Sequence, residues 1–499
     1  MFMKFYLYTS FLTFYVVLSA LTAPPKKHVV VVGGGFGGFG AAKALCESGC
    51  KVTLIDASDP TGRTPLTTKS GRPFEAGHKG FWRDYPNIND MLSQVGVQEQ
   101  DVFTRYTNSS FYSPFGLEAT APLWSELPFG ELPSPLGQVV ASAQLFTRLP
   151  IPDRVSLVGL LYAMLDYDRD EETYAKYDRM TAHELFLRMG LSKRLVDDLI
   201  TPTLLVGLFK PPEDLSAAIV MDLLYFYAFA HQTSFDVRWI KKQSILESII
   251  LPLFTKLERD YEFAVLTDTR VEGIRLDANN AVTGLSYSKY ENSSIVKGSI
   301  EDIDACVLAV GSTGMRNILT GSPQLSKISP ELSKAATLGS IACISVRIWL
   351  DKIVPTRTPA NVFASFDELR GAGGTFFMLD QLQGMESLWK PDDEKKGSVV
   401  ACDFYNSGAL MGLTDEDIIS ILKDSLLSSA VPAFDGAKIV DSEVRRYPGA
   451  VSWFSPGSFK SRPPLQVPQV PNTCPSKLSQ LNQRLKNPNF KGTQSRMCR

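Results

Sequence analysis

The sequence has few of the residues that form metal centres and disulfide scaffolds. Four histidines and seven cysteines occur in 499 residues, and no two cysteines make a CxxC pair. The cysteines are odd in number and scattered, and the histidines lie too far apart along the chain to show a metal-ligand spacing. We therefore predict neither a disulfide framework nor a metal site.

An excess of charge of either sign is also missing. The chain carries 51 Lys and Arg against 53 Asp and Glu, a formal net charge of −2. Without a basic field, the charge balance gives no reason to expect nucleic-acid binding. Hydrophobic residues make up 44% and charged residues 21% of the chain, which is the composition of an ordinary globular protein. The length predicts more than one domain.

An apolar run stands at the N-terminus. Residues 1–23 contain one charged residue, Lys4, then a mostly apolar and aromatic stretch, and then small residues ending in Ala23. This order is typical of a secretory signal or an uncleaved signal anchor. We expect the chain to be membrane-associated and to be targeted to the secretory pathway or to a plastid.

The first motif follows within a few residues. Residues 28–58 read HVVVVGGGFGGFGAAKALCESGCKVTLIDAS. The valine run is typical of a parallel strand buried on both faces, and the glycines after it satisfy GxGxxG with Gly33, Gly35 and Gly38. In this pattern the first glycine permits the strand-to-helix turn, the second lets the backbone approach a pyrophosphate, and the third lets the helix pack on the strand.

The rest of this unit agrees with that interpretation. Phe36 and Gly37 complete the loop, whose amides at the N-terminus of the following helix favour phosphates. Asp56 ends the second predicted strand, 18 residues after Gly38, where a carboxylate can accept hydrogen bonds from a ribose hydroxyl. Strand, loop, helix and acid together predict a dinucleotide-binding unit.

The next residues resemble the flavin amine oxidase superfamily and, within it, the carotenoid desaturases. A TGR tripeptide ending in Arg63 matches the family's GGR turn with threonine for the first glycine, and an EAG tripeptide ending in Gly77 matches its E-x-G segment. The resemblance implies that the dinucleotide is FAD and that Arg63 steadies its phosphates. It also implies that Glu75 to His78, which include Gly77, lie near the flavin ring.

Later segments carry the same resemblance. Residues 265–287 read as a strand, a turn at Asn279-Asn280 and a second strand, and the family places a valine of such a strand against the adenine, here Val271. Residues 304–319 read as an apolar strand ending at Gly311, which in the family returns to the sheet beside the flavin. Three further segments are similar to the strands that floor the family's substrate site: 341–351, 373–385 and 397–408.

The middle of the chain loses the alternation of strands and helices. Between about residues 89 and 240 the sequence is helical and aromatic, and the segments 155–165 and 214–231 are apolar nearly all round. Such segments predict helices buried between other elements. No pair of titratable residues in this region indicates acid–base chemistry, so the catalytic residues stay unassigned.

The family's C-terminal cofactor motif is missing. Residues 443–472 match its lead-in, PG followed by RP, but relatives continue with A-G-D, whose glycine and aspartate bind the second phosphate and the ribitol. Here a polar and basic tail follows instead. We expect residues 472–499 to be disordered.

These patterns predict an α/β fold in which a Rossmann-like FAD-binding domain with a mixed sheet is interleaved with a helical and β substrate domain. The FAD-binding domain is assigned residues 28–88, 240–330 and 431–471, and the substrate domain is assigned residues 89–239 and 331–430.

The resemblance implies an FAD-dependent oxidoreductase. It would dehydrogenate a lipophilic, carotenoid-like substrate by hydride transfer to the flavin, with a quinone or oxygen as possible electron acceptor. Two alternatives stay open: a flavin amine oxidase, and a truncated, non-catalytic flavoprotein without the C-terminal cofactor motif.

Overall fold

A computed structural model describes residues 25–83, 85–121, 123, 149–168, 170–225, 236–242, 244–291, 293–394, 396–463 and 467–470. The predicted N-terminal signal at residues 1–23 and the predicted tail at residues 472–499 lie outside this set, as does the end of the apolar segment 214–231. Within the described ranges, no helix is both long and apolar enough to cross a membrane.

The strands are, in chain order, β1 His28–Val32, β2 Lys51–Ile55, β3 Gly80–Trp82, β4 Ser109–Ser113, β5 Gly116–Ala121, β6 Val237–Trp239, β7 Phe263–Leu266, β8 Thr269–Leu276, β9 Val282–Glu291, β10 Ser294–Glu301, β11 Ala305–Leu308, β12 Ser340–Leu350, β13 Ala360–Phe363, β14 Gly373–Met378, β15 Val399–Tyr405 and β16 Ile439–Ser452.

The α-helices are, in chain order, α1 Phe36–Glu47, α2 Pro86–Gln94, α3 Glu99–Val102, α4 Ile151–Val155, α5 Leu157–Asp166, α6 Glu171–Asp178, α7 Ala182–Arg188, α8 Lys193–Leu195, α9 Thr201–Gly207, α10 Ala217–Tyr225, α11 Leu251–Asp260, α12 Ser312–Thr320, α13 Pro323–Ile328, α14 Pro330–Ala335, α15 Leu379–Leu382, α16 Asp415–Ser420 and α17 Ser428–Ala430. Wider π-helical turns join α8 to α9, precede α11 and join α16 to α17.

The first sheet has four parallel strands in the order β11-β1-β2-β7. Both of its faces are covered: Val29 and Val31 of β1 pack against α1 and α11, while Val30 and Val32 pack against β8, β9 and α12. Burial of each such valine stabilises the fold by about 1.5–3 kcal/mol relative to exposure. The buried parallel strand predicted from the valine run is confirmed.

A separate antiparallel sheet in the order β10-β9-β8 covers one face of the first. β8 and β9 are the two strands predicted within residues 265–287. They are joined at the predicted turn, where Asn280 has a φ of 62°, a left-handed conformation that asparagine tolerates better than most residues.

The largest sheet has seven strands in the order β16-β12-β15-β14-β13-β4-β5. The three segments predicted to floor a substrate site supply β12, β14 and β15. One face of this sheet packs on α16, α17 and the π-helical turn between them, forming a large apolar core. The α/β fold, with a Rossmann-like parallel sheet beside a second, mixed sheet, is confirmed.

Two segments join elements outside their assigned domains. β16 pairs with β12 in the seven-stranded sheet, although residues 431–471 were assigned to the FAD-binding domain. Leu92 of α2 and Val102 of α3 pack in the same core as Val31, although residues 89–239 were assigned to the substrate domain. The domain boundaries themselves stay a prediction.

The helices from α5 to α10 form a third core. Helix α7 has a capped start, because Thr181 Oγ1 accepts a hydrogen bond from the main-chain N–H of Glu184 at 3.0 Å. The expectation for residues 155–165 was wrong. Leu160, Ala163 and Met164 are buried, but Val158, Tyr162 and Leu165 are exposed on the other side of α5, so this helix has one buried face and one solvent face.

Candidate functional site

The glycine loop joins the end of β1 to the start of α1. Gly33 has a φ of +106°, and a Cβ atom on it would lie 2.4 Å from the carbonyl oxygen of Ala309. A Cβ atom on Gly38 would lie 1.7 Å from the carbonyl oxygen of Gly33. These two positions exclude a side chain, because the turn and the helix–strand contact leave no room for one.

Two other glycines of the loop, Gly35 and Gly37, face open space. A Cβ atom on Gly35 or Gly37 would have no atom of the described residues within 4 Å, and Phe36 between them is partly exposed. No side chain caps the first turn of α1 in the part of the chain that is described, and that turn contains no acidic residue. Uncapped N–H groups beside open space fit a phosphate group.

Asp56 ties the glycine loop to the end of β2. Its Oδ2 accepts from the main-chain N–H of Gly34 at 2.7 Å, and its Oδ1 accepts from the N–H and the hydroxyl of Ser58 at 2.8 and 2.7 Å. A carboxylate has about four acceptor positions, so these three bonds leave capacity for a ribose hydroxyl.

Two strands approach the same region. Past β11, the N–H of Ala309 donates to the carbonyl of Val32 at 2.8 Å, so the predicted return strand lies beside β1. At the start of β8, the N–H of Thr269 donates to the carbonyl of Asp56 at 2.8 Å. Val271, two residues along β8, is buried in the core that contains Val32. Its contact with an adenine stays a prediction.

Arg63 lies against α11. Its guanidinium pairs with Glu258 at 2.5 Å on the surface and stacks on the ring of Phe254 at 4.4 Å. The preceding Gly62 has a φ of +74° and packs on the main chain of Leu246. The structure therefore gives Arg63 partners within the protein, and its contact with cofactor phosphates stays a prediction.

Residues 73–79, here called the crossing segment, run from the first sheet region onto the seven-stranded sheet. Arg347 of β12 donates to the carbonyl oxygens of Pro73 and Glu75 at 3.0 and 3.2 Å. Lys79 donates to the carbonyl of Ala76 at 2.7 Å. The buried Arg347 and the exposed Lys79 therefore both bind main-chain carbonyls of the E-x-G motif.

The charges around the crossing segment are strongly perturbed by burial. Burial raises the pKa of Glu75 to about 7, while Lys79 and the N–H of Ile245, which donates to Glu75 Oε1 at 3.0 Å, oppose the rise. Burial lowers the pKa of Arg347 to about 10, which leaves it charged near neutral pH.

His78 is an aromatic packing residue in this site. Its ring stacks on Trp239 at 5.7 Å and tilts against Phe377 at 5.5 Å. Burial lowers the pKa of His78 to about 3, so the ring is neutral at physiological pH and cannot supply a proton there. Among the described residues, its Nε2 has no hydrogen-bond partner.

The sheet surface under the crossing segment is called the site face. Alternate residues of three neighbouring strands point to it, whereas the residues between them enter the apolar core. Its members are Cys343, Ser345, Arg347, Thr375, Phe377, Asp403 and Tyr405.

The site face changes from polar to aromatic along its length. Near the crossing segment it carries Ser345, Arg347 and Asp403. Two residues further along β15, Tyr405 shares a hydrogen bond with Thr375 at 2.8 Å, and the ring of Phe209 stacks on it with centroids 4.5 Å apart. Burial raises the pKa of Tyr405 well above its usual value, so its phenol is neutral. The helical region meets the sheet at this aromatic end.

Comparison with known proteins agrees with this architecture. Residues 31–95 match the family model described as an NAD(P)-binding Rossmann-like domain. The 15-cis-phytoene desaturase of Solanum lycopersicum is 24% identical over 342 residues, which cover 67% of this chain and 55% of that protein. The carotenoid phi-ring synthase of Streptomyces griseus is 25% identical over 452 residues, which cover 88% and 80%. This chain is thus similar in sequence to the phytoene desaturases and to the carotenoid phi-ring synthases.

The fold is shared more widely. Cyclohexylamine oxidase from Brevibacterium oxydans superposes with a TM-score of 0.58 at 14% identity, covering 88% of this chain and 90% of that one. The resemblance to carotenoid desaturases is therefore confirmed in sequence, and the resemblance to amine oxidases is confirmed in fold. The matched region spans about half the length of the phytoene desaturases, and what those proteins do is not transferred by the match alone.

The structure brings most of the predicted site residues of this chain together. The glycine loop and Asp56 form one cluster beside the strand of Val271, and Gly77 belongs to the crossing segment above the site face. Sequence reasoning missed Ser345, Arg347 and Asp403. Their signal was available, since each is a polar residue inside an otherwise apolar strand.

Proposed function

We propose that the chain is an FAD-dependent oxidoreductase that dehydrogenates a lipophilic, carotenoid-like substrate. One observation carries the proposal. The same fold contains a loop shaped for a diphosphate and a sheet face that is hydrogen-bonded to the crossing segment. The homologous phytoene desaturases and carotenoid phi-ring synthases support the choice of substrate class, since both names refer to carotenoids.

The residues present fit the adenine and diphosphate half of FAD. The amides at Gly35, Phe36 and Gly37 would hold phosphate, Asp56 would hold the ribose, and the main chain at Val271 would meet the adenine. FAD, when bound, supplies an acceptor for a hydride.

The chain's own residues orient the substrate and exclude water. Arg347 and Asp403 fix the crossing segment, and the rings of His78, Trp239 and Phe377 fill the space beside it. The aromatic end of the site face, with Tyr405 and Phe209, offers apolar surface to a long polyene. Both rings are uncharged at neutral pH, which suits a lipophilic substrate.

A quinone or oxygen would accept the electrons after substrate oxidation. The protein would be membrane-associated, which agrees with a substrate that dissolves in lipid. Residues 1–23 would direct it to the secretory pathway or to a plastid.

The test uses the full chain purified in detergent. We expect a visible flavin spectrum that bleaches, without oxygen, when phytoene in detergent micelles is added and stays unchanged when micelles alone are added. Bleaching with cyclohexylamine instead of phytoene would show an amine oxidase. A colourless protein that does not take up added FAD would overturn the proposal in favour of a non-catalytic chain.

A further inference from the structure

A buried carboxylate on the site face has no role in the account above beyond its contact with the crossing segment. Asp403 lies in β15 within the sequence VVACDFY and is 7% exposed. Its register neighbours are Ser345 on β12 and Thr375 on β14. The hydroxyl of Ser345 donates to Asp403 Oδ1.

The other contact of Asp403 reaches the crossing segment. The main-chain N–H of His78 lies near its carboxylate and lowers the pKa of Asp403 against the effect of burial. Gly77 has a φ of +69°, and a Cβ atom on it would lie 3.2 Å from Asp403 Oδ2. The carboxylate therefore sits directly against the Gly77–His78 peptide, at the one position of the turn that has no side chain.

Stability alone does not explain an acid at this position. Moving a carboxylate out of water is unfavourable unless it is paired and hydrogen-bonded, and well-packed apolar residues often replace buried ions without loss. The other residues of β15 up to Phe404 are apolar and buried. Burial raises the pKa of Asp403, whereas Lys79, Ser345 and Arg347 oppose that rise, so a polar group with polar partners interrupts an otherwise apolar stretch of strand.

We propose that Asp403 is a positioning residue of the proposed reaction, because its carboxylate fixes the Gly77–His78 peptide that is predicted to lie near the flavin ring. Ser345 holds the carboxylate in the orientation that reaches the His78 amide. This inference rests on the proposed function, but the contact itself can be tested without a cofactor.

The chain offers a matched control at the other end of the same strand. Asp380 is also a partly buried carboxylate, and it accepts from the hydroxyl of Ser398 at 3.0 Å and from the N–H of Val399 at 3.2 Å. Val399 and Asp403 are four residues apart, about 13 Å along a strand. Asp380→Asn therefore disturbs the same type of group at a distance from the crossing segment.

The first measurement is hydrogen exchange in the full chain without added FAD. We expect Asp403→Ala to speed exchange of the His78 amide about tenfold, since that amide loses its buried acceptor. Asp403→Asn keeps an oxygen acceptor and should restore most of the protection, and Ser345→Ala should give an intermediate effect. Asp380→Asn should leave the His78 amide unchanged.

The second measurement uses the chain loaded with FAD. We expect Asp403→Ala to shift the visible flavin band and to lower kcat more than it changes KM for phytoene. Asp403→Asn should retain most of the wild-type behaviour, and Asp380→Asn should show neither effect. If Asp403→Ala does not fold, Ser345→Ala carries the same test.

The two possible failures are distinguishable. Unchanged His78 exchange in Asp403→Ala and Ser345→Ala would overturn the positioning role, whatever the cofactor. If the variants change His78 exchange as expected but the wild-type chain never binds FAD, the proposed function is overturned and the positioning role is not.

Discussion

Arg347 and Glu75 meet through the main chain. The Nη2 of Arg347 donates to the carbonyl oxygen of Glu75 at 3.2 Å, while the carboxylate of Glu75 accepts from the N–H of Ile245 at 3.0 Å. One residue of the crossing segment is thus held on two sides, by a strand of the seven-stranded sheet and by the turn that leads into α11.

This arrangement predicts a pH dependence of stability. Burial raises the pKa of Glu75 from 4.5 to about 7, so the folded state binds this proton more tightly than the unfolded state. The contribution of protonated Glu75 to stability is fully present below about pH 4.5. It is lost as the pH rises to about 7, which lowers the free energy of unfolding by roughly 3 kcal/mol in all. Glu75→Gln should remove this loss.

The measurement is the free energy of unfolding in urea between pH 4.5 and 8 for wild type and Glu75→Gln. Glutamine keeps an oxygen for Ile245, so the variant should become more stable relative to wild type as the pH rises. Two parallel pH profiles would contradict the raised pKa.

The glycine loop predicts opposite effects for two neighbouring substitutions in α1. Gly38→Ala places a Cβ atom 1.7 Å from the carbonyl of Gly33, whereas Gly40→Ala meets no atom of the described residues within 4 Å. We expect Gly38→Ala to unfold at clearly lower temperature, and Gly40→Ala to be as stable as wild type or up to about 1 kcal/mol more stable. Equal melting temperatures would show that the loop is not closed as described.

Substitution of Asp56 should weaken cofactor binding specifically. Asp56→Ala removes the acceptor for the Gly34 amide and for a ribose hydroxyl, so FAD affinity should fall about tenfold or more. Asp59→Ala is the control, because Asp59 is also a loop carboxylate and bonds the N–H of Thr61 at 2.9 Å. Fluorescence titration of the unfolded-and-refolded or cofactor-stripped protein with FAD measures both. Equal affinities for the two variants would remove Asp56 from the site.

Two leucines of helix α5 should differ in how much they contribute to stability. Leu160 is 2% exposed and Leu165 is 73% exposed. Leu160→Ala should cost about 2–5 kcal/mol of unfolding free energy, whereas Leu165→Ala should stay within about 0.5 kcal/mol of wild type. Denaturant unfolding of both variants checks this. A large cost for Leu165→Ala would mean that the exposed side of α5 is covered in solution.

Local sequence signals predicted the parts of the fold that depend on neighbouring residues. The glycine loop, the acid at the end of β2 and the turn at Asn280 each follow from steric or hydrogen-bonding rules that act over a few positions. The site face could not be found in this way, because Arg347 lies 274 residues from Pro73, whose carbonyl it binds. Only the sheet register brings them together.

Helix α5 shows a different limit. Residues 155–165 contain too few polar residues to form a polar face, so periodicity cannot tell which side is buried. They were wrongly expected to be buried all round. Arg63 shows a third limit of sequence-based prediction. The motif assigned Arg63 to a ligand, whereas Glu258, which lies 195 residues away in the sequence, is its partner within the protein.

The place of β4 in the seven-stranded sheet affects how the chain must be made. β4 and β5 pair with each other, but their neighbour β13 begins at residue 360, nearly 250 residues after β4 ends. At 5–20 residues per second, a ribosome needs roughly 12–50 seconds to produce that neighbour. For all this time the hairpin has an unprotected edge, so production in cells should benefit from chaperones that shield nascent strands.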